Sequence, residues 1–499
     1  MSAKIYSATL HALDARIVEV EADVSAGLPA TTIVGLADKA IRESKERVRA
    51  CLKSSREFSY PLKRIAINLA PANLYKFGSQ FDLGIALAIL LASGQIKFDP
   101  AGKLFLGELA LDGAIRPIPG VLAMVLAARD FGIKKIFLPR ENLAEAGLVS
   151  GLELVCCASL KETIAALDSG GARFVGPLPS LQFVRTEAVD FTDIIGQDAA
   201  KRALEIAACG GHNCLLIGPP GAGKTMLARA IISILPEQER EKLLEVVKVH
   251  GISGGINANR IAPIPFRDPH HTISLQAFIG GGLGPKPGEV SLANHGVLFL
   301  DEFPEFPRNI IESLRQPLEN GNVNISRMQN NYVFPANFIL VAAQNPCPCG
   351  FFQEQTGTCV CTPAQVQRYR AKISGPILDR IDLQIYVPKV ELRRLSEGGA
   401  PSGRAAERVL AARRIQRLRY GSAKLNSRMS QAEVRRYCAL AAQDRELIYR
   451  AEQKFSLSAR SYFRILKVAR TIADLRGAEK ISRADLAEAL NYRVWENRQ

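Results

Sequence analysis

Gly218-Pro219-Pro220-Gly221-Ala222-Gly223-Lys224-Thr225 is the stretch whose reading decides the fold of this chain. The apolar run Cys214 to Ile217 enters it and Met226 to Ile232 leaves it, so a GxxxxGKT spacing lies between a buried strand and a helix, the setting a P-loop requires. Glycines there let successive backbone N–H groups turn inward around phosphates, and the helix N-terminus adds partial positive charge. Lys224 is placed to reach the β- and γ-phosphates and Thr225 to hold Mg2+. A nucleoside triphosphate is the expected ligand.

Such a site needs a second half at the end of another strand. Val297 to Leu300 is a short apolar run, and Asp301 and Glu302 follow it directly. Adjacent carboxylates suit two tasks: Asp301 completes the magnesium shell, while Glu302 stays free to polarise the attacking water. Hydrolysis of ATP with Mg2+ is therefore the chemistry read from the residues.

The 499 residues leave room for about three domains. The start lacks the basic-then-apolar plan of a signal peptide and no run of 18 apolar residues occurs, so a soluble cytosolic protein with no membrane segment is expected. Ten scattered cysteines fit a reducing compartment, where clustered thiols point to metal before disulfides. The net charge is +15, and residues 401–499 hold 22 Lys and Arg against 10 Asp and Glu. A polyanion near that end is implied, although a merely solubilising basic surface has the same composition.

Residues 1–168 read as an independent domain in which strands such as Arg16 to Glu21 and Arg64 to Leu69 alternate with helices from 37 to 52 and from 81 to 91. Asn68 to Asp82, followed by Gly107 to Gly120, resembles the core of the Lon protease domain, an α+β fold. That family keeps a serine nucleophile and a lysine base, and the matching positions here carry Gln80 and Leu122. Ser79 is one residue out of register. The resemblance implies the fold without the protease chemistry. Residues 169–188 are rich in Gly and Pro and read as a linker.

Residues 189–395 resemble the large subdomain of AAA+ ATPases, a P-loop α/β core with a parallel sheet. In that class a turn like Ile195-Gly196-Gln197 lies beside the adenine. Asp301 lies 83 positions after Gly218, further than one strand-helix-strand unit needs, and the surplus reads as an insert carrying Gly-rich loops and the pair His270 and His271. Adjacent histidines on an extended stretch are expected to point to opposite sides, as structural or DNA-facing residues rather than metal ligands. Asn320-Gly321 beside β-prone residues reads as a hairpin turn. Both insertions are similar to those of the branch that includes magnesium chelatase and the replicative MCM helicases. By the same resemblance, Phe338 to Asn345 is a sensor strand with Asn345 near the attacking water. Arg380, in Ile377 to Leu383, is an arginine finger for a neighbouring subunit, its other reading being a salt bridge with Asp379 or Asp382.

Cys347, Cys349, Cys359 and Cys361 form two C-x-C pairs within fifteen residues, a set that suits tetrahedral Zn2+ or stays as free thiols. Residues 402–499 read as all-helical, with Ser482 and Asp485 as a helix start, and resemble the small helical lid of an AAA+ module. Arg460 is the first candidate for its sensor arginine and Arg464 the second. Across nearly the whole chain the combination resembles the ComM/YifB family, a magnesium-chelatase-like group. The resemblance implies a homohexameric ring ATPase acting on single-stranded and branched DNA in recombination during natural transformation, with recombination proteins as further partners. A metal-chelatase motor and an ATP-dependent protease are the rival readings.

Overall fold

In a computed structural model of the chain, residues 2–168, 189–254, 262–282, 284, 286–327, 330–352, 359–390, 402–455 and 458–493 are described, so the expected linker 169–188 lies outside them. The first domain is built on strands β1 (Ser2–His11), β2 (Asp14–Ser25), β3 (Ala30–Val34), β4 (Arg64–Ala70), β5 (Lys103–Phe105), the short ribbon β6 (Glu108–Leu109) and β7 (Ile115–Arg116), β8 (Lys135–Pro139) and β9 (Glu153–Cys157). Seven of them form a mixed sheet in the order β3-β4-β2-β1-β5-β8-β9. Along β2, Val18, Val20, Ala22 and Val24 alternate inward, the period of a sheet with one covered face. The helix Asp82–Ala92 is apolar round its circumference after Asp82 and is buried at every residue except Leu91.

The protease positions are occupied by packing groups. Gln80 is buried and donates to the carbonyls of Phe77 (2.6 Å) and Ala8 (3.3 Å), and Leu122 is fully buried. Ser79 donates to the Glu108 carboxylate, while the buried Lys76 ammonium bonds the Pro71 carbonyl. Leu122 shares its apolar cluster with Val246 and Val247 of the helix Arg240–Ile252, which belongs to the ATPase core. Lys248 to Asp14 at 2.8 Å and Gly120 N–H to the Gly251 carbonyl at 3.1 Å complete that seam. The first domain is thereby docked on the core.

The core contributes β10 (Cys214–Ile217), β11 (Phe266–Arg267), the pair β12 (Gly280–Gly281) and β13 (Lys286–Pro287), β14 (Val297–Leu300), the hairpin β15 (Asn322–Arg327) and β16 (Asn330–Pro335), β17 (Ile339–Gln344) and β18 (Leu383–Tyr386). Five of these form one sheet in the order β11-β14-β17-β10-β18, every neighbour parallel. Residues of β10, β14 and β17 are buried throughout, which is why these strands read as unbroken apolar runs. The expected hairpin exists, but Asn320-Gly321 is not its turn. Gly321, at φ 71°, ends the helix Arg315–Asn320, and the strands pair from Asn322 opposite Pro335 to Arg327 opposite Asn330. A positive-φ glycine serves a helix end as well as a two-residue turn, so the dipeptide alone does not distinguish them.

Among the described residues, the last domain has five α-helices, Ser402–Tyr420, Gln431–Tyr437, Ala442–Phe455, Ala459–Leu475 and Arg483–Asn491. The Ser482 and Asp485 start is a reciprocal capping box. Part of the positive charge here is paired within the protein: Arg419 and Arg470 share the buried Asp474, Arg464 pairs with buried Asp382 at 2.6 Å, and at the surface Arg408 and Arg417 bridge to Glu205 and Glu239 of the core. Buried His212 bonds Asp382 at 3.0 Å and Thr471 at 2.8 Å, tying this domain to the sheet. Among the described residues, no helix is long and apolar enough to cross a membrane.

Candidate active site

The P-loop closes the carboxyl end of β10, and its helix begins at Lys224. Gly218 must be glycine because a Cβ would lie 2.2 Å from the Val387 carbonyl oxygen. Gly221 and Gly223 have φ of 76° and 84°, and a Cβ built on either meets nothing within 4 Å. The loop therefore faces open space, the cradle a phosphate chain would fill. Lys224 is buried, and its ammonium donates to the Gly218 carbonyl (2.7 Å), the Pro219 carbonyl (3.0 Å) and Asn345 Oδ1 (3.1 Å). Burial lowers its pKa, which Asp301 and Glu302 partly offset. Pro220 to Met226, Asp301, Glu302, Gln344 and Asn345 together line a cavity of about 430 Å³.

Thr225 Oγ1 donates to Asp301 Oδ2 at 2.8 Å, so the two expected magnesium ligands already touch. Glu302 leaves β14 in the left-handed region, φ 49°, a conformation that costs a non-glycine residue energy and gathers at functional sites. Its carboxylate is half exposed on the cavity and stands 3.7 Å from His271 Nδ1. The histidine pair does not splay: the rings of His270 and His271 pack with centroids 4.1 Å apart, because the chain bends there and Thr272 Oγ1 meets His270 Nδ1 at 2.9 Å. Gln344 Oε1 is buried without a partner at the cavity wall, and neither it nor the approach of His271 to Glu302 was signalled by spacing. In the Ile195-Gly196-Gln197 turn, Gln197 donates to the carbonyls of Ala222 (3.2 Å) and Pro388 (2.6 Å), which ties the turn to the P-loop.

Residues 190–395 match the family described as magnesium chelatase, subunit ChlI, residues 20–142 match a further family of that subunit, and 399–493 match its C-terminal family. The chain is 43% identical to the competence protein ComM of Haemophilus influenzae over 500 residues, which covers 98% of this chain and 97% of that one. It belongs to the ComM/YifB family. YifB of Escherichia coli is 42% identical over 96% of this chain and 94% of its own length. Lon protease 2 of Bacillus subtilis is 30% identical over 172 residues, in keeping with a Lon-like first domain. As a magnesium-chelatase-like AAA+ protein of this family, the chain carries an ATPase site whose ligands are ATP and Mg2+. Its cradle, its Thr225–Asp301 contact and its free Glu302 fit both.

The family's arginine candidates lie elsewhere. Arg380 follows the turn Gly375–Leu378 and precedes β18, and its guanidinium meets Glu319 and the Pro376 carbonyl (2.7 Å). Arg460 lies in the first turn of the helix Ala459–Leu475 and reaches the other oxygen of Glu319 at 2.9 Å. Asn213, Phe338, Asp382 and Arg464 line the same hollow. Asn213 and Phe338 precede β10 and β17, whereas Gly218 and Asn345 follow them, so four to six residues of strand, about 13–20 Å, separate this hollow from the P-loop. The structure groups Arg380, Arg460 and Arg464 at one end of the sheet and the phosphate loop at the other.

The four cysteines of the ComM/YifB chain do converge. Their Sγ atoms all lie within 4.8 Å of one another, with Cys347–Cys349 at 3.4 Å, Cys347–Cys359 at 3.7 Å and Cys349–Cys359 at 3.6 Å. Gly350, next to Cys349, packs on the nucleotide loop, since a Cβ on it would come within 2.5 Å of Pro220 Cδ.

Proposed function

We propose that this protein is a homohexameric, ATP-driven DNA motor that moves single-stranded or branched DNA during recombination in natural transformation. The observation that carries the reading is the pair of hairpins on the core. Ile325 of the second lies against Gly280 of the first, where a Cβ would come within 3.1 Å, so the two stand side by side as one unit. A ring of such units would present paired hairpins to a polymer threaded through it. Near full-length likeness to a competence protein supports the setting.

The arrangement of the two sheet ends supports a ring. Lys224 and the loop amides hold the phosphates, Thr225 and Asp301 hold the metal, and Glu302 orients water; magnesium, when bound, withdraws charge from the phosphate oxygens. Arg380 is beyond reach of its own P-loop and would complete the site of the next protomer in a closed head-to-tail assembly, with Arg460 or Arg464 beside it. Recombination proteins are the further partners of such a motor, and contact with DNA phosphates makes its affinity salt-dependent.

We assign Zn2+ to the four-cysteine cluster. A tetrahedral site with Zn–S of about 2.3 Å has sulfurs about 3.8 Å apart, close to the 3.4–3.7 Å among Cys347, Cys349 and Cys359. The metal would hold the turn after Asn345 against the P-loop. Metal analysis of protein purified without chelator should find one zinc per chain, and none in a Cys349→Ser, Cys359→Ser double variant.

The family matches favour a second reading, a chelatase-type motor acting on a metal-insertion substrate. Strand movement on a synthetic three- or four-strand junction separates the two. The DNA motor moves it with ATP and loses that ability on Lys224→Ala or Glu302→Gln. A chelatase motor leaves the junction intact, and its ATPase is indifferent to DNA.

A further inference from the structure

Glu319 was not singled out by any sequence pattern, yet it holds two of the candidate arginines, Arg380 and Arg460. Its Oε2 accepts Arg380 Nη2, its Oε1 accepts Arg460 Nη2 at 2.9 Å, and its backbone carbonyl accepts Arg428 Nη1 at 3.2 Å. Glu319 is also the root of the second hairpin. One residue separates it from Gly321, where the chain turns directly into β15. That root is tightly seated, since a Cβ on Gly321 would fall 2.1 Å from Asn337 Oδ1 and Ala336 N–H bonds the Gly321 carbonyl at 2.8 Å. A displacement of Glu319 therefore passes into the strand rather than being absorbed at a loose joint.

Arg380 is not fully satisfied where it stands. It is only 7% exposed, and its Nε–H is buried without an acceptor. A guanidinium offers a fork that a phosphate fills in two-pronged fashion, so an anion with more oxygens competes well against one carboxylate oxygen.

We infer that Glu319 is a positioning residue that exchanges Arg380 with the terminal phosphate of the nucleoside triphosphate bound on a second copy of the chain, and so couples that nucleotide to the β15–β16 hairpin. The inference rests on the trans-arginine reading above. Without the neighbour's nucleotide, Glu319 holds Arg380 and the hairpin root stays anchored. When Arg380 moves to the phosphate, Glu319 keeps only Arg460 on its carboxylate and Arg428 on its carbonyl. Because coupling is reciprocal, a polymer that displaces the hairpin weakens the Glu319 grip and favours the arginine's transfer, so DNA should raise ATP turnover through this residue.

The test is ATP hydrolysis by the full chain with and without single-stranded DNA, for wild type, Glu319→Gln, Glu319→Asp and Arg380→Ala. Glu319→Gln should raise the DNA-free rate roughly fivefold and bring the ratio of rates with and without DNA down towards one. Glu319→Asp, which keeps the charge but shortens the reach, should move the same way by less, and serves if the glutamine variant fails to fold. A wild-type DNA-free rate together with a wild-type ratio in a folded Glu319 variant overturns the coupling while Arg380→Ala remains inactive. If Arg380→Ala itself hydrolyses ATP normally, the trans-arginine reading falls and takes the inference with it. Should DNA leave the wild type unstimulated, the DNA-free rates of the Glu319 variants decide.

Discussion

The two ends of the five-stranded sheet are built by opposite rules. At the carboxyl end, Lys224, Thr225, Asp301, Glu302 and Asn345 face an open cavity, and several of them are held by backbone or by one another in a pose that leaves room for a ligand. At the amino end, Arg464, Asp382, His212 and Thr471 form a closed chain of paired groups, while Arg380 and Arg460 are held by a single carboxylate, Glu319. One end stores binding capacity for a ligand. The other stores structure, with a few arginines poised at its rim. In a parallel sheet the loops that can approach a ligand lie beyond the strand carboxyl ends, so chemistry gathers there and the opposite end is available for anchoring the lid and facing a neighbour.

The sharpest way to break this comparison is to remove the rim arginine. Arg380→Ala should lower ATP turnover by about 10³-fold with the nucleotide affinity of its own P-loop retained. Mixing that variant with Lys224→Ala, each inactive alone, should restore part of the activity, because some neighbours then pair an intact loop with an intact arginine. No recovery on mixing would place both groups in one protomer's site and end the contrast. Glu302→Gln should cut turnover by about 10²-fold while nucleotide is still bound, measured by hydrolysis and by nucleotide titration side by side.

The amino end is probed through stability. Burial alone would raise the pKa of Asp382, but Arg464 and His212 outweigh it and hold the carboxyl below the usual range. A depressed folded-state value gives stability that is present above the unfolded pKa and is lost as pH falls below about 4. Asp382→Asn should therefore destabilise the core by about 3 kcal/mol at pH 7 and flatten the acid limb of the denaturation profile. Asp301→Asn, at the other end, should leave stability nearly unchanged and abolish magnesium-dependent hydrolysis. The smallest effect belongs to the first domain: Ser79→Ala should leave ATP turnover at the wild-type rate, and a fluorophosphonate should not label Ser79, whose hydroxyl is held by Glu108 with a buried Leu122 where a base would stand.

How far these features could be read in advance depends on whether the signal is local. The P-loop, the apolar run into Asp301 and Glu302, and the Ser482–Asp485 helix start are each specified within a few residues, and the structure has them where spacing put them. Asn320-Gly321 shows the limit of local reading, because one glycine conformation serves both a helix end and a hairpin turn. The charge surplus of residues 401–499 shows another. Composition counts cations but not their partners, and Arg419, Arg464 and Arg470 are internal. Glu319 had no signal at all, since an exposed-looking glutamate two residues before a glycine gains its meaning from residues 61 and 141 positions away.

By itself, the sequence determined the nucleotide loop, its paired carboxylates, the four thiols and the Gln80 and Leu122 that stand where the Lon resemblance expects a dyad. Each depends on residue identity and short spacing, and backbone geometry carries these directly into place. Only the tertiary structure decided which end of the sheet the arginines occupy, that the thiols converge, that His271 approaches Glu302, and that one carboxylate joins two arginines to a hairpin root. Those relations join segments far apart in the chain, and their distances are set by how strands and helices pack, which no short window of residues encodes.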